Sequence, residues 1–413
     1  MKNLLSNIIV PLCLILGLSE NVIAQNISKS NIRKHIEYLA SDELEGRAPG
    51  TKGEQLAIDY IASYFSKLAL KPAGTDGYRQ QFDYKYHTNP HDTTGTNAVQ
   101  KKGSNVLGFL DNGAPYTIVV GGHFDHLGKG HHGSALDKGD EIHNGADDNA
   151  SGTAGVIELA KFFTENGIQE QNNFLFICFS AEEDGLVGSK HFTNTPTVDI
   201  GKINFMVNMD MIGRLNPNTR KLLVYGIGTS PQFTGLIDTT DGRFRYVIDS
   251  SGVGPTDHTS FYLKDIPVLS FFTGQHSDYH KASDDVEKIN FDGEVDVLKF
   301  IASTILKLDG KGKLPFTPTK QKQQETRSKY KVSLGIMPDY SADVAGLRID
   351  AVVDGKPAQK AGMAAGDIIE AMDGKQIKDV YDYMNQLASY KAGDTAKVRI
   401  KRGKESLEIN VTF

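Results

Sequence analysis

The stretch NFLFICFSAEE, residues 173–183, decides the fold. Residues 173–179 form an apolar run bounded by polar residues, which predicts a strand buried inside a sheet. Strand and helix candidates alternate along the chain, so the sheet is expected to be mostly parallel and the domain to be of the α/β class. In such sheets, ligands bind beyond the carboxyl ends of the strands. The pair Glu182-Glu183, which follows this strand, is therefore expected at a functional site.

Helical and strand periodicities recur over most of the first 310 residues. Two helices are predicted between Ser30 and Leu70, separated by the turn EGRAPGTKG. The remaining helices are predicted at 151–163, 185–193 and 286–308. Strands are predicted at 79–84, 105–110, 116–121, 173–179, 203–209, 222–225 and 266–271.

Composition excludes some classes of protein. The chain has 413 residues, enough for two domains, with 39% hydrophobic and 23% charged residues, as in ordinary globular proteins. Its net charge of −6 argues against nucleic acid as a partner. No segment past residue 25 is apolar for long enough to span a bilayer.

The N-terminus has the order of parts of a targeting signal. Lys2 supplies a positive charge, an apolar stretch runs from Ile8 to Leu18, and Val22–Ala24 offers a small-residue cleavage pattern. Residues 1–24 are predicted to be a signal peptide, and the protein to be exported, either periplasmic or secreted. Removal of this segment leaves Cys178 as the single cysteine, which predicts a buried core thiol and no disulfide.

Five separate segments contain residues that bind metals in hydrolytic sites. They are GGHFDHLG with His123, HNGADDNASG with Asp147, FSAEEDGLVGS with Glu182-Glu183, VNMDMIG with Asp210, and SDYHKASDD with His280. Imidazole and carboxylate are the ligands that zinc takes in such sites. One carboxylate can bridge two cations about 3.5–4 Å apart. The series therefore predicts a dinuclear metallohydrolase.

Three local patterns refine this prediction. His123 and Asp125 lie two apart on an extended segment, so Asp125 is expected to accept the imidazole N–H and hold the ligating tautomer. The Gly-rich GADDNASG loop resembles a phosphate cradle, but its adjacent aspartates would repel phosphate. Glu182 and Glu183 are expected to divide into one ligand and one general base, and spacing alone does not say which is which.

These motifs, together with LASDELEGRAPGTKGEQLAIDYIASYF near the N-terminus, resemble the zinc-dependent family of bacterial secreted leucyl aminopeptidases. Glutamate carboxypeptidase II and the glutaminyl cyclases are relatives. The resemblance covers about residues 30–310 and implies a three-layer α/β/α sandwich around a mixed, mostly parallel sheet, with residues 25–310 as the peptidase domain. It also implies two zinc ions, peptide substrates, and a cis bond between Asp147 and Asp148.

The resemblance further implies a role for each residue. Asp147 would bridge both zinc ions, His123 and Glu183 would complete one site, and Asp210 and His280 would complete the other. Glu182 would be the general base. His126, His131, His132 and His143 have no ligand role and are expected to be solvated loop residues, with 129–145 forming a flap over the cleft. Asp257 and His258, in TDHTSF, are expected to line the cleft.

Other activities remain open on the same site. A carboxypeptidase or dipeptidase needs a cation for the substrate's C-terminus, and Arg214 is the candidate. A glutaminyl cyclase works with one zinc and would not need His123. A non-catalytic scaffold would be expected to lose ligands, whereas every ligand position is filled here.

The last part of the chain is predicted to be a separate domain. Residues 311–328 are polar and Lys/Gln-rich with two prolines, which indicates a linker. Residues 329–413 resemble a small PDZ β-barrel domain of the bacterial protease type. The resemblance implies that Leu334, Gly335 and Ile336 bind peptide C-termini, with the peptide added as an edge strand. The alternative is a barrel that only braces the peptidase.

Overall fold

The structure is a computed structural model that describes residues 27–87, 98–132, 134–137, 139–319, 332–338, 344–352, 355–378 and 380–413. The predicted signal peptide, residues 1–24, lies outside this part of the chain. The described residues divide into two compact units, the first lying within 1–85 and 100–321 and the second within 86–99 and 322–413.

The first unit alternates strands and helices as predicted. Its helices are α1 (Lys29–Leu39), α2 (Lys52–Lys67), α3 (Gly152–Glu165), α4 (Val187–Asn194), α5 (His258–Tyr262) and α6 (Phe291–Leu308). Its strands are β1 (Lys71–Pro72), β2 (Arg79–His87), β3 (Ala98–Leu110), β4 (Thr117–His123), β5 (Asn173–Phe179), β6 (Ile203–Met209), β7 (Lys221–Tyr225), β8 (Arg245–Ile248) and β9 (Val268–Phe272). Strand β8, whose residues are exposed or half-buried, was not predicted because it lacks an apolar run.

These strands form one mixed sheet in the order β1-β3-β5-β4-β6-β9-β7-β8, with β2 paired to β3. The four central strands β5, β4, β6 and β9 are parallel. Strand β3 runs antiparallel to β5, and β7 runs antiparallel to β9. The carboxyl ends of the central strands therefore meet at one edge of the sheet.

Side chains of β5 alternate between the two faces of this sheet. Phe174, Phe176 and Cys178 join the core that includes residues of α1, α2, α3 and α6. Leu175, Ile177 and Phe179 join a second core that includes residues of α4 and α5. Helices thus cover both faces, which confirms the predicted three-layer α/β/α architecture. Cys178 is a buried free thiol, as expected, and burial raises the pKa of that thiol.

Residues 311–319, predicted to be linker, pack on the first unit. Leu314 is buried and its N–H donates to Asn204 Oδ1 at 2.8 Å, while the Thr317 N–H donates to the Thr229 carbonyl at 2.8 Å. Composition alone did not predict this packing because the segment is mostly polar, although Leu314 is buried and Phe316 packs against the second core. The rest of the predicted linker lies outside the described residues.

The second unit contains a mainly antiparallel sheet and its own core. Its elements are β10 (Ile336–Pro338), β11 (Leu347–Val352), α7 (Pro357–Lys360), β12 (Ile368–Met372), β13 (Lys375–Gln376), α8 (Val380–Leu387), β14 (Thr395–Arg402) and β15 (Glu405–Thr412). The strand order is β10-β11-β12-β14-β15, with β13 on β12. Leu334, Ile349, Ile369 and Val398 belong to a core cluster made of residues of this unit alone. Among the described residues of the whole chain, none of the helices is both long and apolar enough to cross a membrane.

Candidate metal centre

Three central strands deliver polar side chains to the same edge of the sheet. Strand β4 ends at His123, Asp210 directly follows β6, and Glu182-Glu183 comes three residues after β5. His280 follows β9 in a loop and has a left-handed φ of 54°. The strand ends thus bring four of the five predicted segments together.

The fifth segment contributes Asp148. Its carboxylate lies between two imidazoles, with Oδ1 at 3.4 Å from His123 Nε2 and Oδ2 at 3.2 Å from His280 Nε2. Gly145, with φ of 57°, begins the irregular turn that leads into α3 and presents this side chain. Asp148 therefore occupies the position from which one carboxylate can serve two cations.

The ligand atoms separate into two clusters that share Asp148. In the first, His123 Nε2 lies 3.5 Å from Asp210 Oδ1 and 3.4 Å from Asp148 Oδ1. In the second, His280 Nε2 lies 3.2 Å from both Asp148 Oδ2 and Glu183 Oε2. The ligand atoms of His123, Asp148 and Asp210 lie within 4.8 Å of one another, as one metal ion requires.

Three expectations from the sequence are corrected here. Asp147, expected to bridge, points away from both clusters because its Oδ1 accepts the Gly213 N–H at 2.7 Å and its Oδ2 lies 3.1 Å from His276 Nε2. The ligand pairing is also exchanged, since His123 lies with Asp210, and Glu183 lies with His280. The cis peptide bond joins Asp148 to Asn149 rather than Asp147 to Asp148.

Asp125 acts on the glutamate pair more than on His123. Its carboxylate accepts the N–H of Glu182 at 3.1 Å and that of Glu183 at 3.3 Å. His123 Nδ1 lies 3.2 Å from the Asp125 backbone carbonyl and 3.8 Å from its carboxylate, which is too far for a hydrogen bond. The backbone carbonyl therefore fixes the tautomer that the carboxylate was expected to fix.

The donor set fits zinc. His123 is buried, and its Nε2 has no hydrogen-bond partner among the described residues although it faces two carboxylates. The Nδ1 atom of His280 lies 3.1 Å from the Ser134 carbonyl, as that of His123 lies near the Asp125 carbonyl. In both rings the proton can therefore sit on Nδ1, which leaves Nε2 free to bind a metal. Buried imidazoles and carboxylates in this arrangement are typical ligands of catalytic zinc.

Glu182 is half-buried beside these clusters. Burial raises the pKa of its carboxyl well above the usual value, with Glu183 and Asp257 adding to the increase and His123 opposing it. Burial, together with the nearby glutamate, likewise raises the pKa of Asp125. Bound dications would oppose this increase in pKa, and a carboxylate in this position has the chemistry of a general base.

Sequence reasoning missed His126 and Asp284. His126, expected to be a solvated loop residue, is buried, and its Nδ1 lies 3.0 Å from Glu183 Oε1. Asp284 Oδ2 accepts the backbone N–H groups of Asp147 and Asp148, each at 3.0 Å, and so holds the turn that presents Asp148. The motifs HFDH and SDD contained both residues, but spacing gave them no role.

The predicted flap residues also differ from expectation. His131 is exposed and pairs with Asp140, whereas His143 is buried and its Nε2 lies 2.5 Å from Asp137 Oδ1. The His132 side chain is buried, with Nε2 at 2.9 Å from Asp184 Oδ1. The loop therefore contacts the segment that directly follows Glu183.

Arg214, the candidate for binding a substrate carboxylate, is engaged within the protein. Its Nη2 donates to Asp278 Oδ2 at 3.2 Å, and its Nη1 lies 4.0 Å from Asp284 Oδ1. Asp257 and His258 are both fully buried, and burial lowers the pKa of His258 to about 3. His258 is therefore neutral at physiological pH.

Two parts of the chain match models of known protein families. Residues 105–305 match the family model described as Peptidase family M28, and residues 320–413 match that of the PDZ domain. Leupeptin-inactivating enzyme 1 of Streptomyces exfoliatus is 29% identical over 274 residues, covering 64% of this chain and 53% of that enzyme. The chain thus spans about half the length of this curated relative.

Solved structures share the fold. An aminopeptidase from Aneurinibacillus sp. strain AM-1 is similar with a TM-score of 0.54 and 18% identity, covering 73% of this chain and 98% of that one. A Bacteroides thetaiotaomicron glutaminyl cyclase is similar with a TM-score of 0.55 and 17% identity, covering 68% of this chain and 98% of that one. At these identities the similarity is evidence for the fold alone.

Proposed function

We propose that the chain is a zinc aminopeptidase with two metal ions, because residues 105–305 match the model of peptidase family M28 and residues 320–413 match that of the PDZ domain. The observation that carries the proposal is the carboxylate of Asp148, which lies between His123 and His280 at 3.4 and 3.2 Å. A site with one zinc held by Asp148, Glu183 and His280 would leave the buried His123 and the half-buried Asp210 without a metal to bind.

Each site residue has a separate task in this proposal. His123 and Asp210 would hold one zinc, Glu183 and His280 would hold the other, and Asp148 would contribute to both sites. Bound zinc would polarise the peptide carbonyl and lower the pKa of the attacking water. Glu182 takes a proton from that water and returns it to the leaving amine. Asp125 holds the Glu182 backbone through the 3.1 Å hydrogen bond, so the base stays in place during both transfers.

The contacts of Arg214 bear on which end of the peptide the enzyme binds. A carboxypeptidase needs a free cation for the terminal carboxylate, but Arg214 already pairs with Asp278 at 3.2 Å. The neighbouring carboxylates Glu182, Asp210 and Asp257 instead create a negative environment around His123. Those carboxylates that would bind no zinc, Glu182 and Asp257, could accept hydrogen bonds from a free α-amine, which a substrate carboxylate could not donate.

A panel of matched peptides tests this function. One leucyl peptide is prepared with a free amine, with an N-acetyl group, and with a C-terminal amide, and zinc content is measured on the same enzyme. We expect cleavage of the free and C-amidated peptides and none of the acetylated peptide, with zinc bound. Cleavage that requires the free carboxylate would instead indicate a carboxypeptidase. A peptide with N-terminal Gln that cyclises without chain cleavage would indicate a glutaminyl cyclase.

We further propose that the second unit holds the C-terminus of a peptide substrate. Its β10 strand follows directly after Leu334 and Gly335, and α8 (Val380–Leu387) is of suitable length to line a peptide groove. Gly335 has a φ of 71°, and a Cβ there would lie 2.1 Å from Lys356 Cβ, so the loop geometry requires glycine. Backbone N–H groups of such a loop suit a carboxylate.

Removal of residues 320–413 is expected to raise KM several-fold for peptides of about ten residues. KM for dipeptides should stay unchanged, because a dipeptide is too short to bind both sites. Steady-state kinetics on the two substrate lengths measure the difference, and the dipeptide serves as the internal control. An equal change for both lengths would show that the PDZ unit only stabilises the peptidase.

Export is a further part of the proposal. Lys2, the apolar stretch Ile8–Leu18 and the small residues before Gln25 support removal of a signal peptide and a periplasmic or secreted location. Mass spectrometry of the protein recovered outside the cytoplasm tests this proposal. We expect the mass of a chain that begins at Gln25, because cleavage after Ala24 removes residues 1–24.

A further inference from the structure

The segment 41–54 contacts the loops that carry the candidate zinc ligands. It contains Arg47, a fully buried arginine with a left-handed φ of 51°. The Arg47 Nε donates to the Phe124 carbonyl at 2.6 Å, and its Nη2 donates to the Gly145 carbonyl at 3.0 Å. Its Nη1 donates to the Asn144 carbonyl at 2.7 Å and also to that of Leu39.

These contacts join two parts of the metal centre. Phe124 directly follows His123, a ligand of the first cluster. Asn144 and Gly145 begin the turn that presents Asp148, the carboxylate shared by both clusters. One rigid guanidinium therefore sets the separation between the loop of His123 and the loop of Asp148.

Within the described residues, every hydrogen bond of the Arg47 guanidinium goes to a backbone carbonyl oxygen. Burial lowers the pKa of Arg47 to about 10, so the group stays charged at neutral pH. The planar fork of donors, which lysine lacks, matches four carbonyl oxygens from three chain segments. The contacts thus favour a role in geometry over a role as the counter-ion of one carboxylate.

The same segment reaches the loop of the general base. Glu54 Oε2 accepts the Gly50 N–H at 2.6 Å, and Glu54 Oε1 accepts the Ser180 hydroxyl, two residues before Glu182. Gly46 packs so closely that a Cβ there would lie 2.5 Å from the His143 carbonyl oxygen. The match to the family model begins at residue 105, so none of these contacts follows from that match.

We infer that Arg47 is a positioning residue that holds the His123 and Asp148 loops at the separation that zinc binding requires. The inference rests on the proposed metal site and adds to it a residue that touches neither metal nor substrate. Partners that orient metal ligands typically change metal affinity by about 10–100-fold when removed. Lysine at this position would keep the positive charge but could not replace the four hydrogen bonds.

The test compares zinc affinity in R47K and R47A, measured on the full chain by competition with a chelator. We expect both variants to bind zinc at least about tenfold more weakly than the parent chain. Millimolar guanidinium should restore part of the affinity of R47A, whereas an equal concentration of NaCl should not. The matched controls are R33K and R33A, because Arg33 is exposed, forms a salt bridge with Glu37 in the same helix at 3.5 Å and lies over the Phe291 ring, none of which belongs to the metal centre. These variants should bind zinc as the parent does.

Parental zinc affinity in R47K would overturn the inference, because it would show that charge alone suffices. Parental affinity in R47A would do the same. A parent chain that binds no zinc would instead refute the proposed function, so the two failures are distinguishable.

If the variants do not fold, the inference is tested on the parent chain, by measuring backbone hydrogen exchange with and without zinc. We expect zinc to slow exchange in residues 41–50 as well as in residues 144–149, because two segments that are coupled energetically respond to the same ligand. Unchanged exchange in residues 41–50 would reject the inference.

Discussion

Replacement of Glu182 by Gln is expected to lower kcat by about a thousandfold while zinc content stays unchanged. Glutamine keeps the size of the side chain but cannot accept the proton of the attacking water. Glu182 is no ligand in this account, since it belongs to neither group of neighbouring ligand atoms, which are His123, Asp148 and Asp210 in one and Asp148 and Glu183 with His126 or His280 in the other. The measurement is kcat on a leucyl chromogenic amide, together with zinc content by mass spectrometry.

Two further variants make this result specific. Glu165→Gln changes an exposed glutamate whose partner is Lys161 at 2.9 Å in the same helix, and it should leave both kcat and zinc content as they were. Glu183→Gln should lose zinc as well as activity, because its carboxylate lies 3.2 Å from the ligand atom of His280. Full turnover in Glu182→Gln would show that another group is the base.

The second large effect is expected from replacing Asp148, whereas replacing its neighbour Asp147 should leave zinc binding intact. Asp148→Asn is expected to leave at most one zinc ion and to reduce kcat/KM by about a thousandfold or more, since a bridged metal pair contributes several kcal/mol of transition-state stabilisation. Asp147→Asn is expected to keep two zinc ions, because Asp147 binds Gly213 and His276 instead. Zinc stoichiometry and kcat/KM of both variants measure the difference.

The pair is its own control, because the two substitutions are chemically identical and one residue apart. Asp147→Asn is expected to cost stability through the weakened contact to His276 rather than metal binding. Loss of zinc in Asp147→Asn with retention in Asp148→Asn would reverse the assignment and restore the bridge that the sequence alone suggested.

Much of the fold followed from the sequence because its signals are local. The apolar run 173–179 became β5 and the run 203–209 became β6, each with the predicted bounds. The segments that follow these strands meet at one edge of the sheet because parallel strands align their carboxyl ends there. The pattern therefore located all five segments that the structure brings together.

The choice between Asp147 and Asp148 was not accessible in the same way. Both aspartates lie in one Gly-rich loop, and which of them points at the site depends on the left-handed Gly145 and on Asp284, 136 residues beyond Asp148 along the chain. The exchange of ligand partners has a similar cause, since chain order says nothing about which loops face each other.

Residues that act through long-range contacts were also invisible to pattern. Arg47 lies in a turn whose sequence indicated only a break between helices, yet its guanidinium binds carbonyl groups up to 98 residues away. His126 was present in HFDH, but its contact with Glu183 spans 57 residues. Such roles follow from tertiary packing and not from periodicity.

The most direct test of the dinuclear site is anomalous diffraction at the zinc absorption edge from crystals of the zinc-loaded protein. We expect two peaks about 3.5–4 Å apart, with the Asp148 carboxylate between them. His123 and Asp210 should bind at one peak, and Glu183 and His280 at the other. A single peak, or two peaks joined by Asp147, would contradict the account.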